Sequence, residues 1–222
     1  MNVILFGATG MVGQGVLREC IEDPRIDRIL LVTRQTTAAT SPKITELVHQ
    51  DFYNWTSIED QFDHYDACFF SLGISSVGRK EADYRRTTFD LTLNIANVLV
   101  RHGIKTFIYV SGQNTNTHSR SMWARVKGAT EDALFQLPFA HVYCFRPGYI
   151  QPLHGVRSKV GWYNAIYIAL SWTYPLLRRV AASYVTSTED IGRAMISVAS
   201  LGYPRQILEN RDITIAAQRP PK

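Results

Sequence analysis

The segment Asn2 to Ile21, NVILFGATGMVGQGVLRECI, narrows the folding options of this chain more than any other stretch. It opens on an apolar run, Val3-Ile4-Leu5-Phe6, and then passes through Gly7-Ala8-Thr9-Gly10-Met11-Val12-Gly13. Beyond the turn the apolar spacing changes. Val12, Val16 and Cys20 fall at four-residue intervals, as do Gly13, Leu17 and Ile21, which marks one face of a helix. Asp23-Pro24 closes that helix, because proline disfavours helical backbone in the residue before it. The segment reads as strand, glycine turn, helix.

Such a unit suits a phosphorylated ligand for a physical reason. The first turn of a helix carries backbone N–H groups without partners and a partial positive charge. Glycines let the backbone approach a pyrophosphate with no Cβ in the way, and they let helix and strand pack closely. The spacing departs from G-x-G-x-x-G, since the middle glycine comes one residue late. Its place straight after an N-terminal apolar strand and at the head of an amphipathic helix carries the reading. A tight turn without a ligand is the plainer alternative.

The 222 residues suffice for one domain with a sizeable core, expected to span 1–222, with about 150–222 forming the substrate side. Apolar residues make up 45% and charged residues 19%, the balance of an ordinary globular protein. The net charge of +5 is dispersed, with only Arg85-Arg86 and Arg178-Arg179 adjacent in pairs, so no nucleic-acid partner is expected. Cys20, Cys68 and Cys144 are odd in number and lie inside apolar patterns, which favours buried thiols in a reducing compartment. The opening lacks a basic stretch ahead of its short apolar run, so no secretory leader and a cytoplasmic location are expected. The histidines do not group at ligand spacing, and no metal site is expected.

Strand and helix patterns then alternate. Arg28 to Thr33 is an apolar second strand that ends at Arg34. In a dinucleotide-binding unit an acidic residue at that place holds a ribose 2′-hydroxyl, whereas an arginine fits a 2′-phosphate. The candidate cofactor is therefore NADP(H) in preference to NAD(H), against the alternative of a solvated surface arginine. A third strand is expected over Ile44 to His49, ending at Asp51-Phe52, and a fourth over Asp66 to Ser71, followed by the loop from Leu72-Gly73 to Gly78. Glu81 to Arg101 reads as a long helix, Lys105 to Val110 as a fifth strand ending at Ser111-Gly112, and Ser121 to Leu137 as a helix stopped by Pro138. His141 to Arg146 is a sixth strand, ended by Pro147-Gly148. Apolar strands alternating with helices predict an α/β fold, a doubly wound parallel sheet of Rossmann type with helices on both faces. Ligands in such sheets sit beyond the carboxyl ends of the strands.

The last third differs. Residues 161–177, GWYNAIYIALSWTYPLL, contain no charged residue and are flanked by Arg157, Lys159 and Arg178-Arg179. The stretch is short for a membrane span and suits an interfacial helix, a cover over the site or a contact between subunits of a homodimer. Thr188 to Ala199 reads as a helix with Thr188 as its cap, and Gln206 to Ala216 contains a final strand.

Taken in order, FGATGMVG (6–13), Thr33-Arg34, Asp51-Phe52, Leu72-Gly73, VSG (110–112), VKG (126–128), FRPG (145–148) and ILENRDI (207–213) resemble the short-chain dehydrogenase/reductase superfamily. The likeness is to its atypical branch and the group similar to the Tat-interacting oxidoreductase-like proteins. This resemblance implies NADP(H) binding, with Gly7, Thr9, Gly10, Met11, Val12 and Gly13 along the pyrophosphate and Arg34 on the 2′-phosphate. It places Asp51 and Phe52 beside the adenine, Leu72 and Gly73 along the ribose, and Pro147-Gly148 near the nicotinamide. It further implies a Tyr-x-x-x-Lys pair, four residues apart on one helix face, with a serine that orients the substrate oxygen. Lys127 and Ser111 match as candidate catalytic residues, and Lys127 also as a ribose ligand. The tyrosine position holds Trp123, whose indole donates a hydrogen bond but does not exchange a proton usefully. Tyr149 and His118 are the candidate replacements, each with a packing or surface role as the plainer alternative. The implied function is an oxidoreductase on an unidentified carbonyl or alcohol, or else a cofactor-binding regulatory or scaffold protein, associated with a membrane surface through 161–177.

Overall fold

A computed structural model describes residues 1–156 and 184–220. The expected uncharged stretch 161–177 lies outside the described residues. The strands are β1 (Asn2–Phe6), β2 (Arg28–Thr33), β3 (Ile44–Val48), β4 (Ala67–Phe70), β5 (Thr106–Val110) and β6 (His141–Arg146), with three short ones after them: β7 (Tyr149–Gln151), β8 (Val185–Ser187) and β9 (Ile207–Glu209). The described helices are α1 (Met11–Glu22), α2 (Glu81–Arg85), α3 (Leu91–Arg101), α4 (Met122–Phe135), α5 (Thr188–Leu201) and α6 (Asn210–Ala217).

One sheet runs β3-β2-β1-β4-β5-β6-β9, and every neighbouring pair in it is parallel. The strand order reverses between β1 and β4, the place where doubly wound sheets bind their ligands. Successive side chains on a strand face opposite ways, and the core divides accordingly. Val3 and Leu5 join Val16, Cys20, Ile191, Met195 and Ile213 on the face of α1, α5 and α6. Ile4 and Phe6 join Phe70, Tyr109, Ile95 and Leu99 on the other face, with Trp55 and Phe62. Apolar groups on both faces explain why β1, β2 and β4 carry near-continuous apolar runs.

Three expectations need adjustment, and one feature is new. Thr188 is not the cap of α5. Ser187 is, because its Oγ accepts from Asp190 N at 3.0 Å and so satisfies a first-turn amide. The expected helix 81–101 is helical throughout but passes through a π-turn at Arg86–Asp90 between α2 and α3. The final strand occupies only Ile207–Glu209, and α6 takes the rest of that stretch. Finally, β7 and β8 form a separate parallel pair that no three-residue run announces.

Candidate functional site

The turn after β1 is built by close approach. Gly7 has φ +85°, and a Cβ there would lie 2.6 Å from Leu72 N. Side chains at Gly7 are thus excluded twice, by backbone conformation and by the backbone of Ser71 and Leu72 leaving β4. A Cβ on Gly13 would lie 2.0 Å from Gly7 O, so the first turn of α1 packs directly on the strand end. Gly10 N donates to Gly7 O at 2.9 Å, and Gln14 N donates to Gly10 O at 2.9 Å as the first helical bond. The amides of Met11, Val12 and Gly13 therefore have no acceptor within the helix. Gly10 caps α1 without a side chain, and the first turn holds no acidic residue. These bare amides and the helix dipole fit a diphosphate, and among the described residues no side chain caps the helix. Thr9 adds its carbonyl, which accepts from Gln14 Nε2 at 3.2 Å and braces the loop.

Beside this cradle stand the residues at the ends of β2 and β3. Arg34 is exposed, and its guanidinium makes no ion pair among the described residues, while Gln50 Nε2 donates to its carbonyl. Asp51 is exposed and accepts from Tyr53 N at 2.9 Å. Phe52 is only 6% exposed, its ring set edge-on to Phe6 and 5.1 Å from Trp55, so the ring is a core group. Leu72 is half-buried against the same cluster, and Gly73 stands in open space.

The far end of the site is formed where β5 and β6 stop. Ser111 Oγ lies 3.1 Å from Thr115 Oγ1, and Thr115 Oγ1 in turn donates to Gly112 O at 2.7 Å. A carbonyl only accepts, so the hydroxyl chain runs one way: Ser111 donates to Thr115, and Thr115 to Gly112. The hydrogen that a substrate carbonyl would need from Ser111 is thereby engaged. Lys127 comes up from α4, and its Nζ donates to Ser111 O at 3.0 Å and Val110 O at 3.2 Å. Burial pushes the Lys127 ammonium down to about 8, with Glu131 one turn further along α4 pulling the other way. Trp123, in the first turn of α4, lies over Gly112: a Cβ there would be 3.5 Å from the indole Cζ3. Ser111, Lys127 and Trp123 are thus brought together.

The two candidate proton donors differ. His118 is exposed on the loop after β5, where its backbone N–H donates to Asn116 Oδ1 at 2.8 Å. Tyr149 begins β7, is half-buried, and donates its hydroxyl to Gln151 Oε1 at 2.9 Å. Pro147 and Gly148 form the rim at the end of β6, and Gln113 N donates to Pro147 O at 2.9 Å.

Several groups here escape a reading of the sequence. Thr115 and Asn210 act through partners that only the fold brings near. Thr33 ends β2 with a buried hydroxyl that has no partner among the described residues. Arg146, inside the FRPG stretch, is held by Glu131 with Nε 3.1 Å from Oε1 and also reaches Glu209 at 3.3 Å.

A parallel sheet whose order reverses beside a glycine-cradled helix terminus defines a Rossmann-type dinucleotide-binding protein. The chain belongs to the NAD(P)H-binding family, which matches it over residues 7–136. Among curated proteins it is similar to "Protein FMP52, mitochondrial" of Candida albicans, at 25% identity over 91% of this chain and 89% of that one. The protein of the same name from Emericella nidulans is 31% identical over 67% of this chain and 66% of its own length. Among solved structures, a short-chain dehydrogenase/reductase from Saccharomyces cerevisiae matches with a TM-score of 0.68 at 12% identity, covering 99% of both chains. A UDP-N-acetylglucosamine 4-epimerase from Methanobrevibacter ruminantium matches with a TM-score of 0.68 at 14% identity, over 93% of this chain and 74% of that one. These structures share the fold. One expectation falls here: the relatives are named mitochondrial, which overturns the cytoplasmic location inferred from thiol usage and the N-terminus. Buried free thiols report a reducing setting and do not choose between compartments.

Proposed function

We propose that this chain binds NADP(H) in preference to NAD(H) and acts as an oxidoreductase on a small carbonyl or alcohol. The observation that carries the reading is the amide cradle of Gly7 to Gly13 with the exposed guanidinium of Arg34, which has no ion pair among the described residues, at the end of the adjoining strand. A bound nicotinamide supplies hydride chemistry, and the chain's residues supply position and protons. The first amides of α1 hold the diphosphate, and Arg34 pairs with the 2′-phosphate as a planar, permanently charged fork. Lys127 is held at the β5 terminus by two carbonyls and keeps a third N–H for a ribose hydroxyl. Its lowered proton affinity, to about 8, also makes it a better proton source than an ordinary lysine. Arg34→Ala is expected to weaken NADPH binding by about 10- to 100-fold, the worth of a charge-assisted contact, with NADH altered less than about twofold. Equal affinity of the unmutated protein for the two cofactors would remove Arg34 from this role.

A second reading has its own observation. Trp123, which the resemblance sets at the superfamily's tyrosine position, lies over Gly112, and the Ser111 hydrogen is engaged by Thr115. Both favour a protein that binds the dinucleotide without turning it over, as a regulatory or scaffold component. Assay of NADPH oxidation over a panel of aldehydes and ketones separates the two: turnover supports the first, and tight binding with none supports the second. The names of the FMP52 relatives make the mitochondrion the compartment we propose for either role, and fractionation of cells expressing the tagged chain tests it.

A further inference from the structure

The turn at the end of β6 is clamped by one buried side chain. Asn210, only 1% exposed, opens α6 directly after β9. Its Oδ1 accepts from Gly148 N at 3.2 Å, and its Nδ2 donates to Val185 O at 2.8 Å. One buried amide thus joins the turn that ends β6 to the first residue of β8, across 62 and 25 positions of sequence. The turn is tight against its other neighbours too. A Cβ at Gly148 would lie 2.4 Å from Tyr184 O and 2.7 Å from Gln113 Oε1. Tyr149 N donates to Tyr184 O at 2.8 Å, and Gln113 N to Pro147 O at 2.9 Å. Gly148 is therefore wedged between the loop after β5, the approach to β8 and the head of α6, and the Asn210 side chain bonds to both Gly148 and the first residue of β8.

We propose that Asn210 is a positioning residue: it fixes the Pro147-Gly148 turn and, through it, where the nicotinamide end of a bound dinucleotide rests. This rests on the dinucleotide-binding reading above. A side-chain amide suits the task because it accepts and donates at once, which neither an acid nor a hydrocarbon of that size can do. The diphosphate cradle lies at the end of β1, on other elements, so the clamp acts on one half of the ligand only.

The test titrates the unmutated protein, Asn210→Asp and Asn210→Ala with NADPH and with adenosine 2′,5′-bisphosphate, which lacks the nicotinamide half. Asn210→Asp keeps an acceptor for Gly148 and sets a carboxylate against the Val185 carbonyl. The expected result is NADPH binding weakened about tenfold or more in both variants, as for a lost buried hydrogen bond, with bisphosphate binding unchanged within about twofold. Unchanged NADPH affinity, or an equal loss for both ligands, overturns the proposal. An unmutated protein that takes up neither ligand overturns the parent reading instead. Should the variants not fold, amide exchange on the unmutated protein decides: residues 148–151 gain protection with NADPH and not with the bisphosphate. Equal protection by the two overturns the assignment.

Discussion

Lys127 joins the chemistry of the site to the stability of the chain. Its ammonium is taken out of water beneath the carbonyls of Val110 and Ser111, and that burial pushes it down to about 8. An unfolded lysine holds its proton to about pH 10.4. Between these values the unfolded chain binds more protons at this position than the folded one, so the Lys127 contribution to stability rises with pH across that window. Relative to Lys127→Met, the unmutated protein is expected to gain on the order of 2 kcal/mol between about pH 8 and pH 10.5. Parallel stability curves for the two proteins, from urea unfolding at each pH, would show that the ammonium is not desolvated. At this scale the sequence offers candidates: Arg34 by its place at the end of the second strand, and Ser111 and Lys127 through the resemblance to the short-chain dehydrogenase/reductase superfamily. It is silent about Asn210 and Thr115, because an asparagine after a short strand and a threonine in a polar loop acquire meaning only from partners elsewhere. Trp123 departs from the pattern that the resemblance implies, and its place over Gly112 is not legible in the sequence.

Between elements, the contact of α1 with α5 is a tight constraint. A Cβ on Gly15 would lie 2.5 Å from Thr188 Cβ and 2.8 Å from its carbonyl oxygen, and one on Gly192 would lie 2.7 Å from Glu19 Cγ. At Gly15 the α1 backbone packs directly on Thr188, and at Gly192 the α5 backbone packs directly on Glu19. Arg193 on α5 adds a contact to Glu19, Nε to Oε2 at 3.0 Å. Gly15→Ala is expected to destabilise the fold by about 1–3 kcal/mol through overpacking, lowering the melting temperature by roughly 2–10 °C. An unchanged melting temperature would mean that the helices separate freely at this point. Gly15 sits inside a helix whose other glycines announce a turn, so the sequence explains Gly7 and Gly13 but not why α1 tolerates a further glycine. The reason is the distant Thr188, whose hydroxyl also accepts from Leu153 N at 3.2 Å. The π-turn at Arg86–Asp90 escapes the sequence as well, since one residue of slippage barely disturbs the spacing of apolar positions.

Over the whole molecule, the parallel sheet is legible because both faces are covered, which forces apolar runs that alternate with helices. The edge strand β3 already reads less clearly, since its residues are half exposed. The strands β7, β8 and β9 each have three residues, too few for any period to show. What the order of strands accomplishes is to place one glycine-lined helix terminus at the reversal, with Arg34 on one side and Lys127 on the other. Isothermal titration of the purified chain with NADPH, and then with NADH, tests this most directly. One site that takes NADPH at least about tenfold more tightly than NADH is expected, with unfolding stability raised by about 2.7 kcal/mol at a hundredfold excess over the dissociation constant. No heat with either nucleotide would contradict it.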